Sequence, residues 1–326
     1  QNEYRQKTKK SLTVVDFSMT KNHDYSVNQK GTRTHFFANS KIDLDLNKYI
    51  NSGLEINLEK ISNDNYLKIF KLEGPLLLKD NSSLESQIEI NLEHENFDFT
   101  TSVEMYETLN GSNSDRYQYV LPSYSFSKNF DFENINGSFN FGSSGNNTLS
   151  NTNVITSRIS NNFNYSSLDF FFDNGIKTNF NIFTKNINSI GKNHATYKNS
   201  PQSELMSSYS YDTSLTLRKI NQDSINTLMP RLSFRVSPHE MKNHSATGRR
   251  INIDNIFSSN RLGLGDSFET GESVTIGVDF FKEKKSTKKE NISKNEIIEI
   301  EKYLDFKLAT VFRLNEEKNI PINSTL

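Results

Sequence analysis

The chain has 326 residues, of which 33% are hydrophobic, with a formal net charge of −1 and no cysteine. A soluble domain usually carries about 45–50% apolar residues, so a conventional two-sided core is hard to build from this composition. The lack of cysteine removes disulfide scaffolds and thiolate metal sites, and the near-neutral charge argues against nucleic acid, whose phosphates need a basic surface.

Low hydrophobicity (mean hydropathy −0.68) makes disorder the first alternative. Against it stand only 6 Pro and as many as 24 Phe and 13 Tyr. The apolar residues are few but large, and they are regularly spaced. No run of eighteen apolar residues exists, so no transmembrane helix is expected. The chain opens Gln1-Asn2-Glu3-Tyr4 without an initiator Met or an apolar leader, which for a secreted or outer-membrane protein would mean a missing N-terminus, and it reads as a fragment.

In chain order the signal is period two, in which successive side chains take opposite faces of a strand. Ile42, Leu44 and Leu46 alternate with Asp43, Asp45 and Asn47, and Leu54, Ile56 and Leu58 with Glu55, Asn57 and Glu59. Ile88, Ile90 and Leu92 follow, then Phe97, Phe99, Val103 and Met105 on one parity. The pattern continues through Phe139/Phe141, Phe163/Tyr165, Phe170/Phe172, Ile176/Phe180/Ile182, Leu215/Leu217, Leu232/Phe234/Val236, Val274/Ile276/Val278/Phe280 and Leu304/Phe306/Leu308/Phe312. Turns are expected at Asn110-Gly111-Ser112, Asn136-Gly137-Ser138, Gly142 to Asn147 and Asp173-Asn174-Gly175, because Asn-Gly readily supplies positive φ. Lys185 to Ser203 reads as a long polar connection. Asn295 to Leu304 fits either a short helix, through Ile297, Ile298, Ile300 and Leu304, or a strand running into Phe306. The basic run Lys282 to Lys289 reads as a solvated loop in preference to a lipopolysaccharide-binding patch.

A soluble sandwich and a membrane barrel both alternate. Here the second face is rich in Asp, Glu, Asn, Lys and Ser, which suits a wet lumen better than a dry core. Tyr117, Tyr119, Tyr124, Tyr209 and Tyr211 suit interfacial girdles. The expected fold is therefore all-β, an antiparallel up-and-down transmembrane β-barrel of about fourteen strands. As a fragment it would be an incomplete barrel, an open curved sheet.

Catalytic and metal motifs are weak. His239 and His244 are five residues apart, which does not put them on one helix face as a zinc-protease motif requires. Gly263-x-Gly265 lacks the third glycine and the βαβ setting of a nucleotide loop, and no nucleophile-elbow Gly-x-Ser-x-Gly occurs. Neither catalytic nor metal residues, nor a cofactor, are expected.

Several ordered segments remain. Arg33-Thr34-His35-Phe36 precedes the first clear strands. Asp64-x-Tyr66-Leu67 and Leu84-x-Ser86 follow, and then Val120-Leu121-Pro122, where the next strand is expected to begin. Pro230 is also placed at a strand start, where no ladder donor is lost, and Pro238 in a short turn. Asn255-x-Phe257-x-x-Asn260-Arg261 leads into Glu269-x-Gly271-x-Ser273-x-Thr275-x-Gly277. Gly271 and Gly277 would permit a kink or a close backbone approach. Asn260-Arg261 would hold a loop against the wall, a structural role preferred to substrate contact.

In this order and spacing, over roughly residues 30 to 280, the segments resemble the barrel of LptD, a family of lipopolysaccharide-assembly proteins, in the form seen in α-proteobacteria. The resemblance implies an integral barrel of the bacterial outer membrane that is not an enzyme and needs no cofactor. Lipopolysaccharide sugars would pass through the polar lumen and acyl chains would leave through a lateral gate. Implied partners are lipopolysaccharide, membrane lipid, the lipoprotein LptE as lumen plug and the periplasmic Lpt bridge components, with no nucleic acid. Residues 1–326 would be part of one barrel domain, without the family's periplasmic N-terminal domain and its closing C-terminal strands. A passive porin and a soluble extracellular β-rich adhesin stay open as alternatives.

Overall fold

A computed structural model describes residues 2–22, 31–66, 76, 82–112, 114–130, 135–242, 248, 251–289 and 296–315. The described elements are sixteen β-strands: β1 (Asn2–Lys7), β2 (Ser11–Asn22), β3 (Gly31–Asp43), β4 (Asn51–Ile61), β5 (Ser83–His94), β6 (Phe97–Thr108), β7 (Tyr117–Phe130), β8 (Gly137–Ser150), β9 (Val154–Ser167), β10 (Phe170–Phe171), β11 (Ile176–Lys192), β12 (Gln202–Leu215), β13 (Leu217–Ile220), β14 (Ser224–Ser237), β15 (Gly271–Lys289) and β16 (Glu296–Arg313). They form one antiparallel up-and-down sheet in sequence order from β1 to β16. Fourteen strands lie on the path, while β10 pairs only with β11 and β13 only with β14. The all-β expectation holds.

The chain divides into two compact units. The first is Gln1–Asn129, Phe141–Asn161 and Ile187–Glu204; the second is Phe130–Asn140, Asn162–Asn186 and Leu205–Leu326.

In the first unit, register pairs several large apolar side chains across neighbouring strands. Phe17 faces Phe36, Ile42 faces Leu54, and Leu54 and Ile56 face Ile90 and Ile88. Yet this apolar face is the uncovered one: Phe17, Met19, Phe36 and Ile88 are exposed. The buried members of β2 and β3 include Asp16, Ser18 and His35. The second unit repeats the inversion. Leu232 opposite Ile276 lies on an exposed face, while Ser233 opposite Thr275 and Arg235 opposite Ser273 are buried. Water would drive the reverse arrangement; a lipid-facing sheet produces this one.

Connection lengths are unequal. In the first unit 8–10, 44–50 and 95–96 lie at one end of the strands, and 62–66, 109–112, 114–116, 151–153 and 193–201 at the other. In the second, 172–175 and 221–223 lie at one end, and 238–242 and 251–270 at the other. By sequence length the longest connection of each unit joins β4 to β5 in the first and β14 to β15 in the second.

Several expectations are corrected. Arg33 to Phe36 does not precede the first strands but lies within β3, after β1 and β2; Val15, Phe17 and Met19 already carried the alternation. Gly142 to Asn147 is not a turn but the middle of β8. Gly145 is there for packing, since a Cβ on it would come within 2.5 Å of the Tyr124 ring. The turn falls at 151–153, where Asn151 and Thr152 take positive φ (48° and 63°). The Lys185–Ser203 connection shrinks to 193–201, because β11 continues to Lys192. Of the two readings left open for Asn295 to Leu304, the strand holds from Glu296 onward, as β16; Asn295 lies outside the described residues. Lys282 to Lys289 is not a loop but the end of β15, paired with β16.

Pro122 and Pro230 are not at strand starts. Pro122, after a cis peptide bond, lies inside β7 where the β6–β7 register shifts between Ser102 and Glu104. Pro230 lies inside β14, opposite the break between β12 and β13: pairing with β12 ends at Arg231 and pairing with β13 begins at Leu228. A missing N–H is tolerated where the ladder is already interrupted.

Candidate functional site

Both long connections are fastened to the polar face of their unit by arginine–carboxylate clusters. In the first unit Asp64 sits just beyond β4 and Arg116 just ahead of β7. Arg116 Nη2 and Nη1 donate to the two Asp64 oxygens at 2.7 and 3.1 Å, and Arg116 Nε donates to Glu107 Oε1 at 2.9 Å. Lys60 Nζ donates to the other Glu107 oxygen at 2.6 Å, and Tyr117 Oη donates to Oε1 at 3.1 Å. The Asp64 backbone neighbourhood closes with Asn110 N donating to Asp64 Oδ2 at 2.8 Å. The guanidinium of Arg116 holds the Asp64 carboxyl below its usual range, and the two carboxylates raise Arg116 in turn. Bidentate pairing of this kind fixes orientation as well as charge.

Tyr66, two residues on, is fully buried in a cluster with Phe37, Ile61, Leu84 and Leu109. Its ring lies 5.5 Å from that of His35, which stacks on Phe37 at 5.6 Å. His35 Nε2 lies 2.9 Å from Asp16 Oδ1, and neither side chain has any exposure. Ser86 is hydrogen-bonded to the Glu59 backbone, taking the Glu59 N–H at 3.1 Å. The structure therefore brings Asp64, Tyr66 and Leu84 together with His35; Leu67 lies outside the described residues. Tyr117 and Tyr124, expected in a girdle, turn their hydroxyls to Glu107 and Ser143.

In the second unit residues 251–270 of the connection 238–270 lie on the polar face of β14, β15 and β16. Its centre is Glu269, buried to 1% exposure. Arg261 Nε and Nη2 reach its two oxygens at 2.5 and 2.6 Å, and Arg313 Nε, from β16, donates at 2.8 Å. Arg235 Nη2, from β14, lies 3.2 Å away but is not aligned as a hydrogen bond. Arg261 also donates to Ser273 Oγ at 3.1 Å and Thr275 Oγ1 at 3.3 Å, and Arg235 donates to the Ser259 carbonyl at 3.2 Å. Burial pushes the Glu269 carboxyl up, but the bonds from Arg261 and the charges of Arg235 and Arg313 outweigh it and hold it at about 2.

The rest of the motif packs around this cluster. Phe257 lies under the Arg231 guanidinium, 3.9 Å from ring centroid to Cζ, and against Gly277. Asn255 and Asn252 close a tight turn through Asn252 N donating to Asn255 Oδ1 at 2.8 Å. Asn260 Nδ2 donates to the Leu264 carbonyl at 2.9 Å. Gly271 begins β15 with a φ of 87°. Pro238 opens the connection, and the two ring nitrogens of the next residue, His239, face the Ser207 and Phe268 carbonyls at 3.2 and 3.1 Å. His239 is thus engaged structurally; His244 lies outside the described residues. Among the described residues no group of three His, Asp or Glu is placed to hold a metal.

Sequence reasoning named Arg261, Glu269, Ser273 and Thr275 as a linear motif but missed Arg235 and Arg313, which complete the cluster from neighbouring strands. Their signal was parity: each is a cation on the polar parity of an otherwise alternating strand.

An up-and-down antiparallel sheet with bare apolar side chains on one face, and a polar face carrying long connections on arginine–carboxylate anchors, defines the wall of an outer-membrane-type β-barrel. The chain belongs to the LptD family, described as LPS transport system D, whose model matches residues 31–325. That family is one of transport and assembly at the outer membrane rather than of enzymes. No curated protein matches the chain.

Proposed function

We propose that this chain forms part of one outer-membrane barrel domain that carries lipopolysaccharide to the outer leaflet. The glycolipid's sugars would pass along the polar face and its acyl chains would leave sideways through a gate between strands. No bond is made or broken in such a passage, so no cofactor is required. A lumen plug of the LptE type and the periplasmic Lpt bridge would be its partners. The motif residues would act structurally, as anchors of the connections 62–82 and 238–270.

The observation that carries this reading is the inverted burial in both units. Ser233, Arg235, Ser273 and Thr275 are buried while Leu232, Phe234 and Ile276 are exposed, an arrangement that costs free energy in water and is expected in lipid. The test is complementation. Cells depleted of their own copy should deliver labelled lipopolysaccharide to the surface when given the full-length gene, and should fail when it carries Arg261→Ala with Glu269→Ala. Surface delivery that is unaffected by depletion would sink the transport reading.

A further inference from the structure

The polar face of the second unit holds a hollow of about 270 Å³ beside Phe257 of the connection 238–270. Lys177 and Asn179 of β11, Asp212 and Ser214 of β12 and Arg231 of β14 line it together with that ring. Register brings these strands together: Ser214 stands opposite Arg231, and Asp212, two residues earlier on the same face, stands opposite Ser233. Asp212 Oδ2 accepts from Asn181 Nδ2 at 3.0 Å and from Ser210 Oγ at 3.2 Å. The second oxygen, Oδ1, is buried and accepts no hydrogen bond among the described residues. Arg231 makes a single long hydrogen bond among them, to Asp279 at 3.4 Å. Its guanidinium is held against the Phe257 ring, and its remaining N–H groups stay open. The Lys177 ammonium pairs with Asp169 at 3.1 Å. Asp169 and Asp279 both stand outside the lining of the hollow.

The hollow thus presents two cations and one open carboxylate oxygen. A simple anion is drawn by Lys177 and Arg231 but repelled by Asp212, and it leaves Oδ1 without a donor. A simple cation meets the reverse difficulty. A group that carries an ammonium a few bonds from an oxyanion satisfies both ends, since a buried acceptor left unpaired is costly and charge-assisted hydrogen bonds are the strong ones. Two cations facing its acidic end favour a phosphoryl group, which offers more acceptor oxygens than a carboxylate.

We propose that this hollow is a binding site for a phosphoethanolamine group. The ammonium donates to Asp212 Oδ1, and the phosphoryl oxygens accept from Arg231 and Lys177. The chemistry is the same whether the group arrives as a free phosphomonoester or esterified to a larger molecule. The proposal takes the polar face as the wetted one, as in the barrel reading above, and does not rest on the transport of lipopolysaccharide.

The test is isothermal titration of the full-length, detergent-solubilised protein with O-phosphoethanolamine. Saturable binding is expected, with ethanolamine alone and inorganic phosphate alone each weaker by about tenfold or more. Asp212→Asn should weaken phosphoethanolamine by about tenfold while tightening inorganic phosphate, because the repelling carboxylate is gone. Lys177→Gln should weaken both phosphate ligands and leave ethanolamine no weaker. Lys242→Gln, outside the hollow, should change nothing. Heat-dependent gel migration checks that each variant is folded, and Lys177→Gln alone is read if Asp212→Asn is not. Absence of saturable binding overturns the proposal, as does an unchanged affinity in Lys177→Gln. Inorganic phosphate or ethanolamine binding as tightly as phosphoethanolamine also overturns it, since either marks a site for one charge only. Glycerophosphoethanolamine separates the sources: equal affinity supports an esterified group, and much weaker affinity supports the free monoester. A protein that stays monodisperse without detergent would instead overturn the membrane reading, and the titration would still decide on the hollow.

Discussion

The Phe257 ring rests on the backbone of Gly277. A Cβ at Gly277 would stand 2.8 Å from Phe257 Cζ, 2.9 Å from Ala309 Cβ and 3.0 Å from the Leu308 carbonyl oxygen. The glycine thus makes room both for the connection 238–270 above β15 and for the neighbouring strand β16. Gly277→Ala is expected to destabilise the protein by about 1–3 kcal/mol, as overpacking does, and to expose the connection to limited proteolysis. Adding Phe257→Ala should recover only part of the loss, because the contacts with Ala309 and Leu308 persist.

Glu269 is the counter-charge for three guanidinium groups. Its replacement by Gln leaves Arg235, Arg261 and Arg313 crowded without an anion, and removal of one partner from a buried pair costs roughly 3–5 kcal/mol. Arg261→Ala leaves Glu269 with Arg313 and Arg235 and should cost less than Glu269→Gln. The double substitution should cost less than the two singles summed, since both remove the same contact. Denaturant unfolding in detergent micelles measures all three.

The Glu269 carboxyl lies at about 2 in the folded protein, against an unperturbed 4.5. A depressed carboxylate contributes stability that is present above the unfolded value and is lost as pH falls through the folded one. Docking of 238–270 should therefore be constant above about pH 4.5 and should weaken by on the order of 3 kcal/mol on descent to pH 2. Protease accessibility of the connection should rise across that window. In Glu269→Gln it should be high already at neutral pH and flat below it.

The two parts of the first unit's motif should differ in weight. Tyr66 is fully buried, so Tyr66→Ala should cost about 3–5 kcal/mol, as for a large core aromatic. The Asp64–Arg116 pair is about one-fifth exposed on each side, and Asp64→Asn should cost about 1 kcal/mol. Thermal unfolding of the two variants gives the ranking, and equal effects would contradict it.

The exposed row offers a direct test of what surrounds the sheet. Leu232 and Ile276 are 45% and 48% exposed and paired across β14 and β15. In water, Leu232→Arg at such a position should lie within about 0.5 kcal/mol of the parent. In a bilayer it should cost about 2–4 kcal/mol if it lies near the midplane. Folding titrations into lipid vesicles distinguish the two values.

The alternation in β4, β5, β14 and β15 was legible in the sequence because a strand's period of two needs no partner to reveal it. Pattern also gave the two-faced chemistry, with Leu54, Ile56 and Leu58 against Glu55, Asn57 and Glu59. It failed at Gly142 to Asn147, where residues typical of turns are a strand that must pass beneath the Tyr124 ring. It failed again at Pro122 and Pro230, because an interruption in a neighbouring strand is not a property of the proline's own segment.

By itself, then, the sequence determined the fold class, the membrane-like pattern and the family's linear motifs, since each is written in local order and spacing. Only the tertiary structure decided what those motifs do. Arg235, Arg261 and Arg313 lie on three different segments and meet at Glu269 only because β14, β15 and β16 are in register. Asp64 finds Arg116 only because β4 and β7 are spaced by the two strands between them. A charge cluster is a property of distance across the sheet, and distance across the sheet is fixed by pairing, which no single segment encodes.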